Sequence, residues 1–291
     1  LLIDKEKLKA VIPAIAGQQK FRMGIVEKDY YLTVILNNIN SLLTDKIVFK
    51  GGTLLNKVHL HYHRLSEDLD FTYHGNEELT SRSQRSKAVN PIREKMSDFL
   101  KQLGLKSDKP KGEGFNNSTQ YIFHVQYPSF ITNRDESIKI EIGLRQYPLE
   151  RPVYSVIKHF YQDPFSGEDL FPIGKVLSLS FKEAVAEKLK TAITRRDVAI
   201  RDYYDLECIA QAKFDFYDKK FVRLFKQKLS DEGYQGDFGN NFGLSTEKIS
   251  TLRRQVQTDL MPVIRVGEKF DLDQVMERFN SILEKIRYEY S

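Results

Sequence analysis

The sequence predicts an α+β protein, with a mixed sheet flanked by helices in the N-terminal half and a mostly helical region after it. Three observations carry this reading. Between residues 47 and 73 a short apolar run, a glycine pair, a helical stretch and a second apolar run follow one another. Between residues 119 and 145 two strands are expected, the second alternating apolar and polar residues in the period-two pattern of a half-buried strand. After residue 180 apolar residues recur at helical spacing almost to the end.

Taken in order, a short amphipathic helix is expected over residues 4–16 and a second over about 26–43. Residues 47–49 read as a strand, Gly51-Gly52 as a turn, a helix follows from about Thr53, and 69–73 form the next strand. A polar tract (74–86) precedes a helix expected at 90–103, started by Asn90-Pro91 because proline fits the first helical position. Residues 104–117, rich in Gly, Pro and Lys, read as a loop. Strands are expected near 119–127 and 137–145. In the second, Ile138, Ile140 and Ile142 alternate with Lys139, Glu141 and Gly143. Pro152, Pro164, Gly167 and Pro172 mark an irregular connection, which divides the chain into domains 1–150 and 151–291. Helices are then expected at 180–195, 200–213, 219–230, 246–260 and 272–288, with a glycine-rich loop at 231–243. Ser180 and Glu183 have the spacing of a capping box opening the first of these.

The 291 residues hold enough chain for one large or two modest cores. No apolar run approaches the ~18 residues needed to span a bilayer. The start, LLIDKEKLKAVIPAI, lacks a signal peptide's uninterrupted apolar core, and the absent initiator Met suggests a trimmed N-terminus. A single cysteine, Cys208, excludes an internal disulfide and a cysteine-built zinc site; within a helical pattern it is expected as a buried small hydrophobe. These features fit a cytoplasmic protein with no membrane partner. The net charge of +5 is compatible with a polyanionic partner without requiring one. Neither GxGxxG nor GxxxxGK[ST] occurs, which argues against dinucleotide binding and P-loop ATPase chemistry. His59, His61 and His63 end a helix and enter a loop, a poor arrangement for a metal.

Chemistry concentrates in two places. A glycine pair at a strand-to-helix junction lets backbone approach a ligand closely, and the N–H groups of the following helix favour a phosphate. In the extended Asp68-Leu69-Asp70, both carboxylates share one face while Leu69 enters the core. Such carboxylates repel unless a cation lies between them, and Mg²⁺ is the usual one. The second place is the helix after Ser180, where Phe181, Ala184, Val185, Leu189 and Ala192 form an apolar stripe with Lys188 inside it. That ammonium must reach a carboxylate, a phosphate or water, or else snorkel. Asp202 and Asp205 are neighbours on the next helix. Asp205 shares a face with Leu206 and Ile209, but either aspartate fits, and Arg201 could pair with Asp205.

KGGTLL followed by R-x-S-E-D-L-D-F, over residues 50–71, resembles the GG(S/T)…DxD signature of the nucleotidyltransferase superfamily. Its wording is similar to the AbiEii/MenT group of nucleotidyltransferase toxins from abortive-infection and toxin–antitoxin systems. EAVAEKLK and RDYYDL resemble that group's A-x-K-L and R-D-x-x-D-L helices, and Glu27-Lys28-Asp29-Tyr30 its N-terminal element, although EKD also suits a helix's first turn. The resemblance, from Glu27 to Leu206, implies a core like that of DNA polymerase β. It implies that Asp68 and Asp70, with Glu141 as third carboxylate, hold Mg²⁺ or Mn²⁺. Gly51, Gly52 and Thr53 would hold the phosphates of an NTP, with Lys50, Ser66 and Asp202 beside them. Lys188 and Asp205 (or Asp202) would complete the site. It further implies a cognate antitoxin and an RNA acceptor, the 3′ end of tRNA; Lys50, Lys57, Arg195, Arg196 and Arg201 could supply the basic surface such an acceptor crosses, and the chain is expected as a monomer. A small-molecule, antibiotic-type nucleotidyltransferase would share the signature, as would a silent nucleotide- or RNA-binding member. Intact Asp68, Asp70 and Lys188 count against silence.

Overall fold

The computed structural model describes residues 2–75, 79–235, 238 and 241–289. It divides into two compact units, Leu1–His61 with Leu65–Leu179, and Tyr62–Arg64 with Ser180–Ser291.

The first unit is built on a seven-stranded mixed sheet. Its strands are β1 (Ile47–Lys50), β2 (Asp68–Tyr73), β3 (Glu113–Phe115), β4 (Gln120–Pro128), β5 (Asp135–Gly143), β6 (Val153–Val156) and β7 (Lys175–Ser178), in the order β3-β4-β5-β2-β1-β7-β6. β2 runs parallel to β5 and β1 parallel to β7, while the other neighbours are antiparallel. Alternation does the sorting. Leu69, Phe71, Phe123, Ile138, Ile140 and Ile142 are all fully buried on one face of the sheet. Each such side chain contributes about 1.5–3 kcal/mol relative to an exposed one. The other face is left for the charged residues between them.

Helices α1 (Lys5–Gln19), α2 (Met23–Asn38), α3 (Gly51–Leu54) and α4 (Arg82–Gln102) complete this unit. α4 begins well before the expected Asn90. Ser81 accepts from the Gln84 N–H at 3.2 Å and the Gln84 side chain accepts from the Ser81 N–H at 2.9 Å, a closed capping box. Pro91 therefore lies inside the helix, where it forfeits one backbone hydrogen bond. Burial of Val89, Ile92, Met96, Phe99 and Leu100 along one side outweighs that loss. β3 lies in the stretch expected to be loop. β6 and β7 occupy the segment read as an irregular connection, so the boundary expected at 150/151 falls inside the first unit. The reason is pairing: Phe49 of β1 sits opposite Ser178 of β7, and β6 adds outside β7.

The Glu27–Asp29 element is a structural clamp in this unit. Glu27 accepts from the Ser129 hydroxyl at 2.6 Å and the Phe130 N–H at 2.8 Å, and burial raises its pKa. Asp29 accepts from Lys57 and from the Tyr161 hydroxyl, both at 2.9 Å. Lys57 is fully buried, which removes it from the expected RNA-facing surface. Burial lowers the Lys57 pKa, and Asp29 opposes that shift. Asp29→Ala would strand this ammonium, so unfolding in urea is expected to show a loss of about 3–5 kcal/mol.

The second unit holds α5 (Phe181–Thr194), α6 (Ile200–Gln211), α7 (Lys219–Asp231), α8 (Thr246–Gln255) and α9 (Leu272–Glu289). α8 continues as a π-helical turn over Val256–Leu260. Phe216, Phe221, Phe225, Phe242 and Phe279 are buried between the helices, many of them edge to face. Ser180 caps α5 by accepting from the Glu183 N–H at 3.0 Å, and the Glu183 carboxylate meets Lys228 at 2.8 Å. Cys208 is half-buried rather than buried, its thiol pushed up to about 12 by desolvation. Among the described residues, no helix is long and apolar enough to cross a membrane.

Candidate functional site

Strand register assembles the charged patch of the first unit. In β2 and β5, Asp70 lies opposite Glu141 and Asp68 opposite Lys139; across β1, Lys50 lies opposite Asp70. Paired residues share a face and neighbouring strands are about 4.8 Å apart, so these five side chains project together. Lys139 Nζ is 3.2 Å from Glu141 and 3.8 Å from Asp68. Desolvation raises the Asp70 pKa and Glu141 adds to it; Lys50 and Lys139 pull it back.

The glycine turn abuts this carboxylate. Gly51 has φ +80°, and a Cβ built there would lie 2.6 Å from Asp70 Oδ2. Gly51→Ala would add about 1–2 kcal/mol of left-handed backbone strain and would also push the Asp70 carboxylate aside. A 1 Å misplacement lowers rates by about 10²-fold, so transfer kinetics are expected to fall far more than melting temperature. Gly52 follows in the first turn of α3. Thr53, expected at the phosphates, is buried and donates its hydroxyl to the Asp68 carbonyl at 2.6 Å, which pins the start of β2. Ser66 is buried too and accepts from Asn56 Nδ2 at 2.8 Å.

The second unit gathers a different cluster. Lys188 lies 2.7 Å from Asp202 and 2.9 Å from Asp205, so its place in the apolar stripe is answered by carboxylates. Arg64 grips Asp205 with two bonds, Nε at 2.6 Å and Nη2 at 2.9 Å; His63 Nε2 is 2.8 Å away, and Arg195 reaches Asp202 at 3.2 Å. Burial alone would raise the Asp205 pKa, but Arg64, Lys188 and His63 hold it well below the carboxylate range. Burial works against the Lys188 charge, yet Asp202 and Asp205 raise its pKa. Asp205, enclosed by cations, is the hub of this cluster. The guanidinium that grips Asp205 twice is that of Arg64. Sequence reasoning missed Arg64 and His63 as its partners, although Arg64 opens the R-x-S-E-D motif itself. It also missed Lys139, which the strand alternation had already put on the face of Glu141.

A family model described as nucleotidyl transferase AbiEii toxin, type IV toxin–antitoxin system, matches residues 34–288. The chain belongs to this family. The AbiEii family consists of nucleotidyltransferase toxins of type IV toxin–antitoxin systems, and membership implies a cognate antitoxin. MenT4, a nucleotidyltransferase toxin from Mycobacterium tuberculosis H37Rv, shares the fold at TM-score 0.62 and 17% identity, over 96% of this chain and 88% of that one. JHP933 from Helicobacter pylori aligns at TM-score 0.48 and 15% identity, over 92% of this chain and 94% of that one. No protein of curated function matches by sequence.

Among the described residues, no group of three or more His, Cys, Asp or Glu side chains could hold a metal ion. The donors that do adjoin are all carboxylate oxygens, and burial raises the pKa of Asp70 among them. An oxygen-only, open donor set suits Mg²⁺ or Mn²⁺, which keep waters and share substrate phosphates.

Proposed function

We propose that this AbiEii-family chain transfers a nucleotide from an NTP to an RNA hydroxyl, with the 3′ end of tRNA as the acceptor, in a metal-dependent reaction. The observation that supports it most is the placement of Asp70 beside Glu141, with Asp68 one pleat away, directly against the Gly51 turn. Asp68 and Asp70, with Glu141 alongside, would hold the divalent ion. When bound, that ion supplies neutralisation of the triphosphate and a lowered pKa for the acceptor hydroxyl. Glu141 takes the hydroxyl proton as the acceptor oxygen attacks the α-phosphorus; the bond to pyrophosphate breaks and pyrophosphate leaves with the electron pair. Gly51, lacking a side chain, keeps backbone open to the phosphates, and Lys50 balances charge beside Asp70.

The test is incubation with each labelled NTP, Mg²⁺ or Mn²⁺, and total bacterial RNA. Label on a tRNA-sized band, lost in EDTA, is expected. Label confined to small molecules would move the protein to the antibiotic-type class, and no label with any NTP would leave only a silent, binding member.

A further inference from the structure

The sheet face that carries the acids does not end at Glu141. On β4, Ile122 lies opposite Glu141, His124 opposite Lys139 and Gln120 opposite Gly143. β3 extends the same rows, with Glu113 opposite Ile122 and Phe115 opposite Gln120. Opposite residues share a face, so Phe115, Gln120, Ile122 and His124 project on the side of Asp70 and Glu141. The alternate residues Tyr121, Phe123 and Val125 are buried on the other side. His124 is exposed, Gln120 and Ile122 are half-buried, and Phe115, on the edge strand, is 44% exposed. A ring held out of the core in this way contributes little to folding.

Two details keep this surface flat and open. Gly143 stands in the row of Gln120 and Phe115. A Cβ built there would meet, among the described residues, only the Phe71 carbonyl oxygen at 3.7 Å, so packing does not demand glycine. Glycine inside a strand often marks a place where a ligand comes close. The acid on β3, Glu113, is answered by Lys109 at 2.9 Å, so it adds little to the charge of the site.

Resting on the proposed transfer to an RNA hydroxyl, we propose that β3 and β4 form a platform for unpaired bases of the acceptor strand, with Phe115 stacking on one of them. The acceptor hydroxyl sits at Glu141, so the nucleotide that carries it lies on this face. Two strand spacings and one pleat put Phe115 about 12 Å from Glu141, within reach of a neighbouring nucleotide. An exposed phenyl ring takes any base by stacking and needs no hydrogen bond to do so. Bases inside a duplex have no free face to offer, so the platform selects single-stranded ends. The bare backbone at Gly143 leaves room for the strand to pass between Glu141 and Phe115.

The probe is a short, unstructured RNA oligonucleotide with a fluorescent 5′ label, followed by anisotropy with the full chain. Phe115→Ala is expected to bind it about ten-fold more weakly. Phe115→Leu, which keeps apolar bulk without a flat ring, should bind nearly as weakly, and Phe115→Tyr like the wild type. Gly143→Val should also lose affinity while melting no lower than the wild type, since valine suits a strand. The same RNA annealed to its complement should not distinguish the wild type from Phe115→Ala. In transfer assays Phe115→Ala should raise KM for RNA and leave KM for the NTP unchanged. Oligonucleotide affinity indifferent to Phe115→Ala and Gly143→Val, with RNA still labelled by the wild type, would overturn the platform and leave the transfer reading standing. A rise in KM for the NTP alone would give the ring to the donor base and end its assignment to the acceptor. Binding that depends on Phe115 in a chain that labels no RNA would support the platform and sink the transfer reading.

Discussion

Asp70→Asn abolishes nucleotide transfer and raises the melting temperature, the first and larger of two expected results. The substitution removes a hard anionic oxygen donor and with it the ion's place in the patch. Losses of this kind exceed the ~10²–10³-fold seen when a single neutral donor is deleted. Stability should move the other way. Asp70 is held partly desolvated beside Glu141, and its raised pKa means that the folded state resists its ionisation. A neutral amide of the same shape ends that conflict. The sign follows from linkage: a carboxylate with a raised folded pKa destabilises the fold at neutral pH, and the deficit vanishes as the pH falls below that pKa. The gain in Asp70→Asn should therefore be greatest near pH 7 and fade in acid. Rates measured together with thermal melts check both halves. An active Asp70→Asn would remove the central ligand from the proposal.

The second large effect belongs to Asp205. Asp205→Ala leaves Arg64 and Lys188 as buried cations with one shared partner gone, a change that typically destabilises by about 3–5 kcal/mol. Denaturant unfolding should show it directly. Here the pH dependence is reversed from Asp70. The Asp205 pKa is depressed, so its contribution is in full force above the ordinary carboxylate value of 3.8 and is lost as the pH falls toward the lower folded value. The gap between wild type and Asp205→Ala should therefore narrow only in strong acid. Asp202→Ala, which removes fewer cations' partner, should cost less. Equal losses for the two aspartates would contradict the assignment of Asp205 as the hub.

Much of the fold was legible because burial writes a period into the chain. The Ile138–Ile142 alternation and the helical stripes after Ser180 each state which face is inward. The elements that misled were those where short-range signals competed. At α4 the Asn90-Pro91 pair looked like a start, yet Ser81 and Gln84 closed a box upstream and the apolar side of the helix overrode the proline. β6 and β7 are four residues each and sit among prolines, so their identity depends on a partner strand far away in the chain. At the site, residue types and spacing located Asp68, Asp70 and Glu141, but cross-strand register decides which of them touch. Lys57 illustrates the limit. Its sequence context does not distinguish a surface lysine from one sealed against Asp29, because Asp29 lies on another helix.

The pairing of Phe49 with Ser178 also bears on how the protein comes into being. β1 is hydrogen-bonded on one side by β2, which follows closely, but its other edge waits for β7, which is made much later. Contacts this distant are slow to form, since the intervening chain must be ordered before they repay it. While β7 is still inside the ribosome, β1 presents an unpaired, apolar edge, and the segment bearing Asp68 and Asp70 lies in a sheet that cannot close. For a protein whose class poisons its host, the late arrival of β7 means that the sheet beneath Asp68 and Asp70 is completed only once residues 175–178 have been made.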